Sequence, residues 1–428
     1  MNSYSSYQNI SDGWIDKIPK HWGTIKTKYV SEFRNGFSYK SDEWKEVGIP
    51  VIRMSNIGED GKLKITNKNL KYVSSESYEN TKNYLIKKND ILISMTDMNP
   101  LMLWLGSTII FDSDELYLQN QRVGNIRITD QNVNSKFYHY MSNTDIVRNQ
   151  LKVSVYPNVQ TNLSTEPIKN EVFPLPPLPE QTQIVSFLDT KTQKIDELIE
   201  KTEQKIELLK EKRTSLINHC VTKGLNPNVE MKDSGVEWIG EIPIHYDIVR
   251  LKFLCSVKTG SRDTQDKVED GDYPFYVRSP NIERINSYSF DGESVLTVGD
   301  GVGTGKVFHY VNGKFEFHQR VYKFSDFKRI TGKFFYWFMK HHFIFVTEDQ
   351  NSKSTVDSLR RPLINGFQFV IPSIEEQTQI VEYLDEHTKK IDSTIEKETQ
   401  RTELLKEYRQ SLISEVVTGK IDVRDYNG

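Results

Sequence analysis

The chain has 428 residues, 36% hydrophobic and 11% aromatic, enough apolar surface to fill more than one core and too much for a disordered chain. Lysine and arginine number 56 against 59 aspartate and glutamate, and a net charge of −3 argues against a uniformly basic nucleic-acid binder. Two cysteines, Cys220 and Cys255, stand apart and lack metal-ligand spacing, so neither a disulfide framework nor a cysteine zinc site is expected.

Charge is unevenly placed. Residues 14–175 carry roughly +3 and 238–374 roughly +2, whereas the segments that follow them carry roughly −2 and −5. The polar start, Met1–Asp12, predicts no signal peptide, and the longest apolar run, Leu101–Phe111, is too short to span a bilayer. The expectation is a soluble protein of the cytoplasm.

The chain opens on Trp14-Ile15, Ile18-Pro19 and His21-Trp22, and a mixed α/β module follows. Pro50-Val-Ile-Arg53 with Asn56-Ile57 is a short segment that returns later. Asp90–Ile93 and Ser107–Phe111 read as strands with Gly and Asp punctuation. Between them, Asn99-Pro100 matches the start of adenine methyltransferase motifs, but Leu101-Met102 lacks the Pro-aromatic pair that would hold a flipped base. Gln121-Arg-Val123 and a short aromatic helix, Lys136–Met141, complete the module.

The run Pro174-Leu-Pro-Pro-Leu-Pro179 is expected to be non-helical and to deliver the chain into a long helix at a fixed angle. There Leu188, Thr192, Ile195, Ile199, Thr202, Ile206, Leu209, Arg213, Leu216 and Cys220 step by alternating four and three, a heptad seam. Neither Pro nor Gly interrupts it before Gly224 and Pro227. A helix of about 33 residues would be roughly 50 Å long.

A second half then begins. Trp238-Ile239, Ile242-Pro243 and His245-Tyr246 repeat the opening, Pro274-Phe-Tyr-Val-Arg278 with Asn281-Ile282 answers the Arg53 segment, and Gln319-Arg-Val321 answers Gln121-Arg-Val123. Ser294–Val298 reads as a strand. Gly299-Asp-Gly-Val-Gly-Thr-Gly-Lys306 looks like a phosphate loop, yet a Walker motif needs Gly where Asp300 stands and Ser or Thr where Val307 stands. A tight turn between strands is the better reading. Phe334-Phe-Tyr-Trp-Phe338, in a helix over Lys333–His341, suits a core, and His318, His341 and His342 lack metal spacing.

The close is a copy. Residues 376–418 match 180–222 at about 27 of 43 positions, a duplication. Its seam is Leu384, Thr388, Ile391, Ile395, Glu398, Thr402, Leu405, Arg409, Leu412 and Val416, ending before Gly419. Each seam needs a covering partner, and the other copy, packed antiparallel about a pseudo-two-fold axis, is the nearest one. The polar seam positions either set register or face water or another subunit. Each half thus has a short shared opening, a divergent middle and a strongly shared close. Catalytic and metal-ligating candidates: none.

The opening Trp-x-x-x-Ile-Pro-x-His-Trp, the 174–184 passage and the closing Leu-Leu-Lys-Glu-x-Arg-x-Ser-Leu-Ile resemble the specificity subunits of Type I restriction–modification systems, from Trp14 to about Gly419. The resemblance implies two α/β target-recognition domains, 14–178 and 236–374, and two conserved helical spacers, 179–223 and 375–420. Each domain would read one half of a bipartite duplex, with two modification subunits docked on the helices and restriction subunits, up to two, beside them. S-adenosylmethionine, ATP and Mg would belong to those partners, and this chain would bind no cofactor. Base and phosphate contacts call for Arg, Lys, Asn and Gln on rigid loops. The candidates are Arg53, Asn56, Gln121 and Arg122 in the first domain, and Arg262, Arg278, Lys306, Gln319 and Arg320 in the second. The recurring pairs Arg53/Arg278 and Arg122/Arg320 suit a shared phosphate contact. Two rivals stand beside this reading: a coiled-coil scaffold without a DNA role, and a free-standing methyltransferase or nuclease.

Overall fold

The computed structural model describes residues 3–10, 13–58, 61–66, 68–155, 160–301, 303–351 and 359–426. The chain forms two compact units, Met1–Lys201 with Arg401–Gly428, and Thr202–Gln400, so each includes part of both long helices.

In the first unit an antiparallel sheet runs in the order Ser31–Asn35, Val123–Ile128, Ile91–Ser94, Thr108–Ile110. Ile91–Ser94 is buried along its whole length, as a short run of Ile and Leu between two strand neighbours should be. A second sheet pairs Leu118–Gln119 in parallel with Ile49–Ile52, itself antiparallel to Lys71–Val73. The aromatic helix is Ser135–Ser142, capped by the Asn134 side chain and burying Phe137, Tyr138 and Met141.

The second unit has the same strand order. Ser256–Thr259, Val321–Ser325, Phe290–Val298 and Phe308–Phe317 are successive neighbours. Here Phe308–Phe317 is long enough for its end to pair in parallel with Tyr273–Tyr276, which fuses into one six-stranded sheet what the first unit keeps as two. The aromatic helix runs further than expected, Gly332–Asn351. Phe335 and Phe338 stack on Phe369 at 4.8 and 4.7 Å between ring centres, which makes this cluster core.

The long helices are Leu178–Lys223 and Ile374–Val417, of 46 and 44 residues. At 1.5 Å per residue they measure about 69 and 66 Å, well over the expected 50 Å. The proline run misled: Pro179 lies inside the first turn, where a missing N–H leaves no bond unmade, and only the residues before Leu178 stay outside the helix. Both helices stop where glycine takes the left-handed conformation, Gly224 at φ +76° and Gly419 at φ +74°. A Cβ on Gly224 would lie 2.3 Å from the Tyr246 hydroxyl.

Along the seam Leu188, Ile195, Ile206, Leu384, Leu412 and Val416 are buried, and Ile199, Leu209, Leu216, Ile391, Ile395 and Leu405 are half-buried. Leu198, Leu208 and Leu404, off the seam, are exposed. In the first unit Leu188 and Ile195 share a core with Leu412 and Val416. In the second, Ile217 and Cys220 share one with Ile380 and Leu384. The charged seam positions pair across the helices: Arg409 with Asp196 at 2.9 Å, Arg213 with Asp392 at 2.7 Å, and Glu398 with Lys205. Within the second unit the partner falls from 398 to 392 as the first helix rises from 205 to 213, so these segments run antiparallel. Such half-exposed pairs contribute roughly 0–1 kcal/mol each and serve register more than stability.

Each module is fastened to the head of its helix by the repeated Glu-Gln pair. Gln181 is fully buried; its Nε2 donates to the carbonyls of Asn132 and Pro176 at 2.9 and 2.8 Å, and its Oε1 accepts from the Asn134 amide at 2.8 Å. Gln377 repeats this with Arg329, Pro372 and Thr331 at 2.9, 3.0 and 2.8 Å. Beside them Glu180 meets His21 and Glu376 meets His245. Two turns on, Asp189 takes Lys136 and Tyr140, and Asp385 takes Lys333 and Trp337.

Replacing Gln377 by Leu keeps the shape and leaves a buried amide and two carbonyls without partners. The variant is expected to lose about 2–4 kcal/mol, read as a fall in urea midpoint, and Gln181→Leu should match it. A second expectation concerns Glu171, whose buried carboxyl accepts from Tyr138 Oη and Thr27 Oγ1. Burial pushes its pKa up from 4.5 to about 8. The folded state then keeps a proton that the unfolded chain releases, so this site's stability is present below pH 4.5 and is lost as pH rises towards 8. Glu171→Gln should remove that decline, and urea midpoints measured across the window check it.

Candidate nucleic-acid interface

The sequence-predicted residues leave from neighbouring strand ends. In the first unit the Asn120 amide donates to the Ile52 carbonyl at 3.0 Å, so Arg53 and Gln121, the next residues on each strand, emerge side by side. Arg122 closes the turn, and its carbonyl accepts from the Met95 amide at 3.0 Å. Gln121 is exposed and Arg122 half-exposed. Arg53 is half-buried, donating to the Asn69 carbonyl at 2.8 Å with its guanidinium 5.9 Å from the Trp44 ring centre, and burial pulls its pKa down. Asn56 is fully buried: its Oδ1 accepts from the Arg53 amide and its Nδ2 donates to the Lys64 carbonyl. It shapes the loop from within.

The second unit builds the same turn. The His318 amide donates to the Tyr276 carbonyl at 2.9 Å, and the Gly299 amide to the Arg320 carbonyl at 2.8 Å. The Gln319 amide donates to the Arg262 carbonyl at 2.8 Å, which brings Arg262 to the same place. Lys306 is exposed on the glycine-rich turn, where Gly301 and Gly305 take φ +80° and +65°; Val302 of this turn lies outside the described residues. The phosphate-loop likeness therefore resolves into a turn between two sheet strands.

Carboxylates organise this second cluster, and sequence reasoning missed them. Asp300 stands 3.3 Å from Arg320 and 3.6 Å from Arg278. Gln319 donates to Asp263 at 2.6 Å, and Arg262 lies 3.9 Å from Glu316. Asp263 is held below the usual carboxylate range by the Thr264 amide first, with His318 and Gln319 adding to it. The only signal for Asp300 was that it spoiled the Walker pattern. Gln181 and Gln377 were visible as an identity between the copies, but without a role.

His342 is a core residue, its Nε2 2.7 Å from Asn218 Oδ1, and burial pulls its pKa down to about 3. Among the described residues no His, Cys, Asp and Glu side chains cluster as a metal site, and no helix is long and apolar enough to cross a membrane.

The family model of the Type I restriction modification DNA specificity domain matches residues 19–208 and 243–405. The chain belongs to this family. The EcoDI specificity subunit of Escherichia coli is 31% identical over 182 residues, 42% of this chain and 40% of that protein's length. The MjaVIII specificity subunit of Methanocaldococcus jannaschii is 24% identical over 453 residues, 96% of this chain and 95% of that one. A solved chain from work on complex assembly and conformational transition of the type I restriction–modification system superposes with a TM-score of 0.68 at 16% identity, covering 94% of this chain and 99% of its own, and it shares the fold. The chain is therefore a DNA specificity subunit that recognises sequence and does not itself catalyse.

Removing the carboxylate between Arg278 and Arg320 frees two guanidinium groups for phosphates. Asp300→Asn is expected to raise affinity for non-cognate duplex several-fold at low salt and to steepen the salt dependence by about one counterion. Anisotropy titrations over a salt series check this, and an unchanged slope would contradict it.

Proposed function

We propose that the two units carry target-recognition domains, 14–178 and 236–374, each reading one half of a bipartite, non-palindromic duplex site. The observation that carries this is the Gln-Arg turn, built at equivalent strand ends in both units while the loops around it differ. A constant element suits the constant part of DNA, its phosphates, and variable loops suit base edges. On this reading Gln121, Arg122, Arg262, Arg278, Lys306, Gln319 and Arg320 face the duplex, and Arg53 and Asn56 shape the first loop.

The spacers 179–223 and 375–420 pair as an antiparallel coiled coil with a pseudo-two-fold internal repeat and set the unread gap, since half-sites on one DNA face recur about every 34 Å. Two modification subunits dock on them and carry S-adenosylmethionine and adenine methylation. Restriction subunits, up to two, supply ATP- and Mg-dependent cleavage, and the complex works in the cytoplasm. A scaffold without a DNA role would give no reason for two modules with different loops around one turn.

Exchanging Trp14–Leu175 for the corresponding domain of another family member should change one half of the methylated motif and leave the other intact. Sequencing modified adenines in the host genome reads this out. A change in both halves would defeat the modular reading.

A further inference from the structure

In the first unit the loop from Met95 to Ser107 occupies the place that the glycine-rich turn holds in the second. The Met95 amide bonds the Arg122 carbonyl as the Gly299 amide bonds that of Arg320. There the likeness stops, because this loop buries Met95 and Leu105 but turns four other apolar side chains outward. Met98, Leu101, Leu103 and Trp104 are 63%, 73%, 40% and 37% exposed. Single exposed apolar residues are ordinary, but four within seven positions on one loop form a patch.

The loop is held, not slack. Asp97 is fully buried, and its carboxylate accepts from the amides of Asn99, Trp104 and Leu105 at 2.7, 2.6 and 3.1 Å. Asn99 Oδ1 accepts from the Leu101 amide at 2.9 Å, and its carbonyl accepts from that of Met102, a residue at φ +52°. The Asn99-Pro100 pair thus makes a tight turn. Arg148 donates to the carbonyls of Leu103 and Leu105, and Gly106 lies so close to Leu151 that a Cβ there would sit 2.7 Å from Leu151 Cδ1. A positive φ on methionine and a buried carboxylate are unfavourable features to build in, and they are expected where a surface must be preorganised.

The surroundings indicate the occupant. Arg122 borders the loop through Met95, Arg148 ties down its far arm, and Lys152, its pKa pulled down by burial first and by Arg148 next, also feels Asp145 and Asp97. An apolar tip beside the Gln-Arg turn, with Arg122, Arg148 and Lys152 on the elements that flank its loop, matches duplex DNA, with phosphates for the flanking cations and the apolar part of a base edge for the tip. In the major groove that part is the thymine 5-methyl group.

We propose that Met98 and Leu101 are specificity-determining residues of the first half-site, packing against thymine 5-methyl groups. The proposal rests on the reading that the first unit binds DNA. The test uses the full chain assembled with its modification subunits and the duplex defined by its methylated motif, with each thymine of the first half-site replaced in turn by uracil. Wild-type protein should lose about three- to tenfold in affinity at one or more positions. The double variant Met98→Asn, Leu101→Asn should bind the thymine duplex about tenfold more weakly, be indifferent to uracil, and keep the wild-type salt slope, because apolar contacts release no counterions. Arg122→Ala should instead lower that slope by about one.

Indifference of the wild-type protein to uracil at every thymine would overturn the proposal without any variant being needed. So would a double variant that binds like wild type, or one that loses only its assembly with the modification subunits on gel filtration, which would make the loop a protein contact. Wild-type protein with no sequence preference at all would overturn the underlying DNA reading as well, and that failure is distinguishable from the others.

Discussion

A helix of more than forty residues with an apolar stripe cannot stand alone in water, and the rest of this chain is arranged around covering that stripe. Burying a leucine or isoleucine contributes about 1.5–3 kcal/mol, so the seam outweighs the cross-helix ion pairs at roughly 0–1 kcal/mol each. The ion pairs select one register among those the apolar surface would accept. Four threonines, at 192, 202, 388 and 402, are buried along the seam. Thr192 and Thr388 return their hydroxyls to the carbonyls of Leu188 and Leu384, so these polar groups stay satisfied without reaching across.

That frame explains which parts of the sequence are written twice. Gln181 and Gln377 each bridge a helix head to two backbone carbonyls and one amide of the module they carry. Such a joint depends on backbone atoms and on side-chain length, so the two copies can share it while the sheets above them differ. Asp189 and Asp385 add a second joint two turns along, where a tyrosine in one copy and a tryptophan in the other serve equally as donors. Two points of attachment fix a module's orientation on its helix, and the orientation of the Gln-Arg turn follows from that.

Periodicity and duplication made the helices, their glycine stops and several single strands legible from sequence, because each is a local or repeated pattern. The strands expected at Asp90–Ile93 and Ser107–Phe111 appear at Ile91–Ser94 and Thr108–Ile110. What escaped were contacts between residues far apart in the chain. Asn56 looked like a reader and proved to be buried, since its partner Lys64 is reached only by a folded loop. Asp300 sat inside a motif that drew attention to glycine, and its meeting with Arg278 depends on sheet pairing that no spacing reveals. The proline run failed for a simpler reason: a helix's first turn has no use for the N–H that proline lacks.

The slightly acidic balance, which looked like an objection to DNA binding, comes from the segments that hold the long helices, since both modules are net positive, and within the modules carboxylates stand among the cations. Asp300, Asp263 and Glu316 lie among the arginines and glutamine at the turn of the second unit, and Asp97 lies beneath the apolar loop of the first unit. A carboxylate beside a guanidinium fixes the direction of the fork and offsets its attraction for any phosphate whatever the sequence. Non-specific affinity falls with each such pairing, whereas a base-edge contact of the right geometry loses little. A chain that must discriminate among very many competing sites gains from that difference, and a positive charge of only about two or three on each module accords with it.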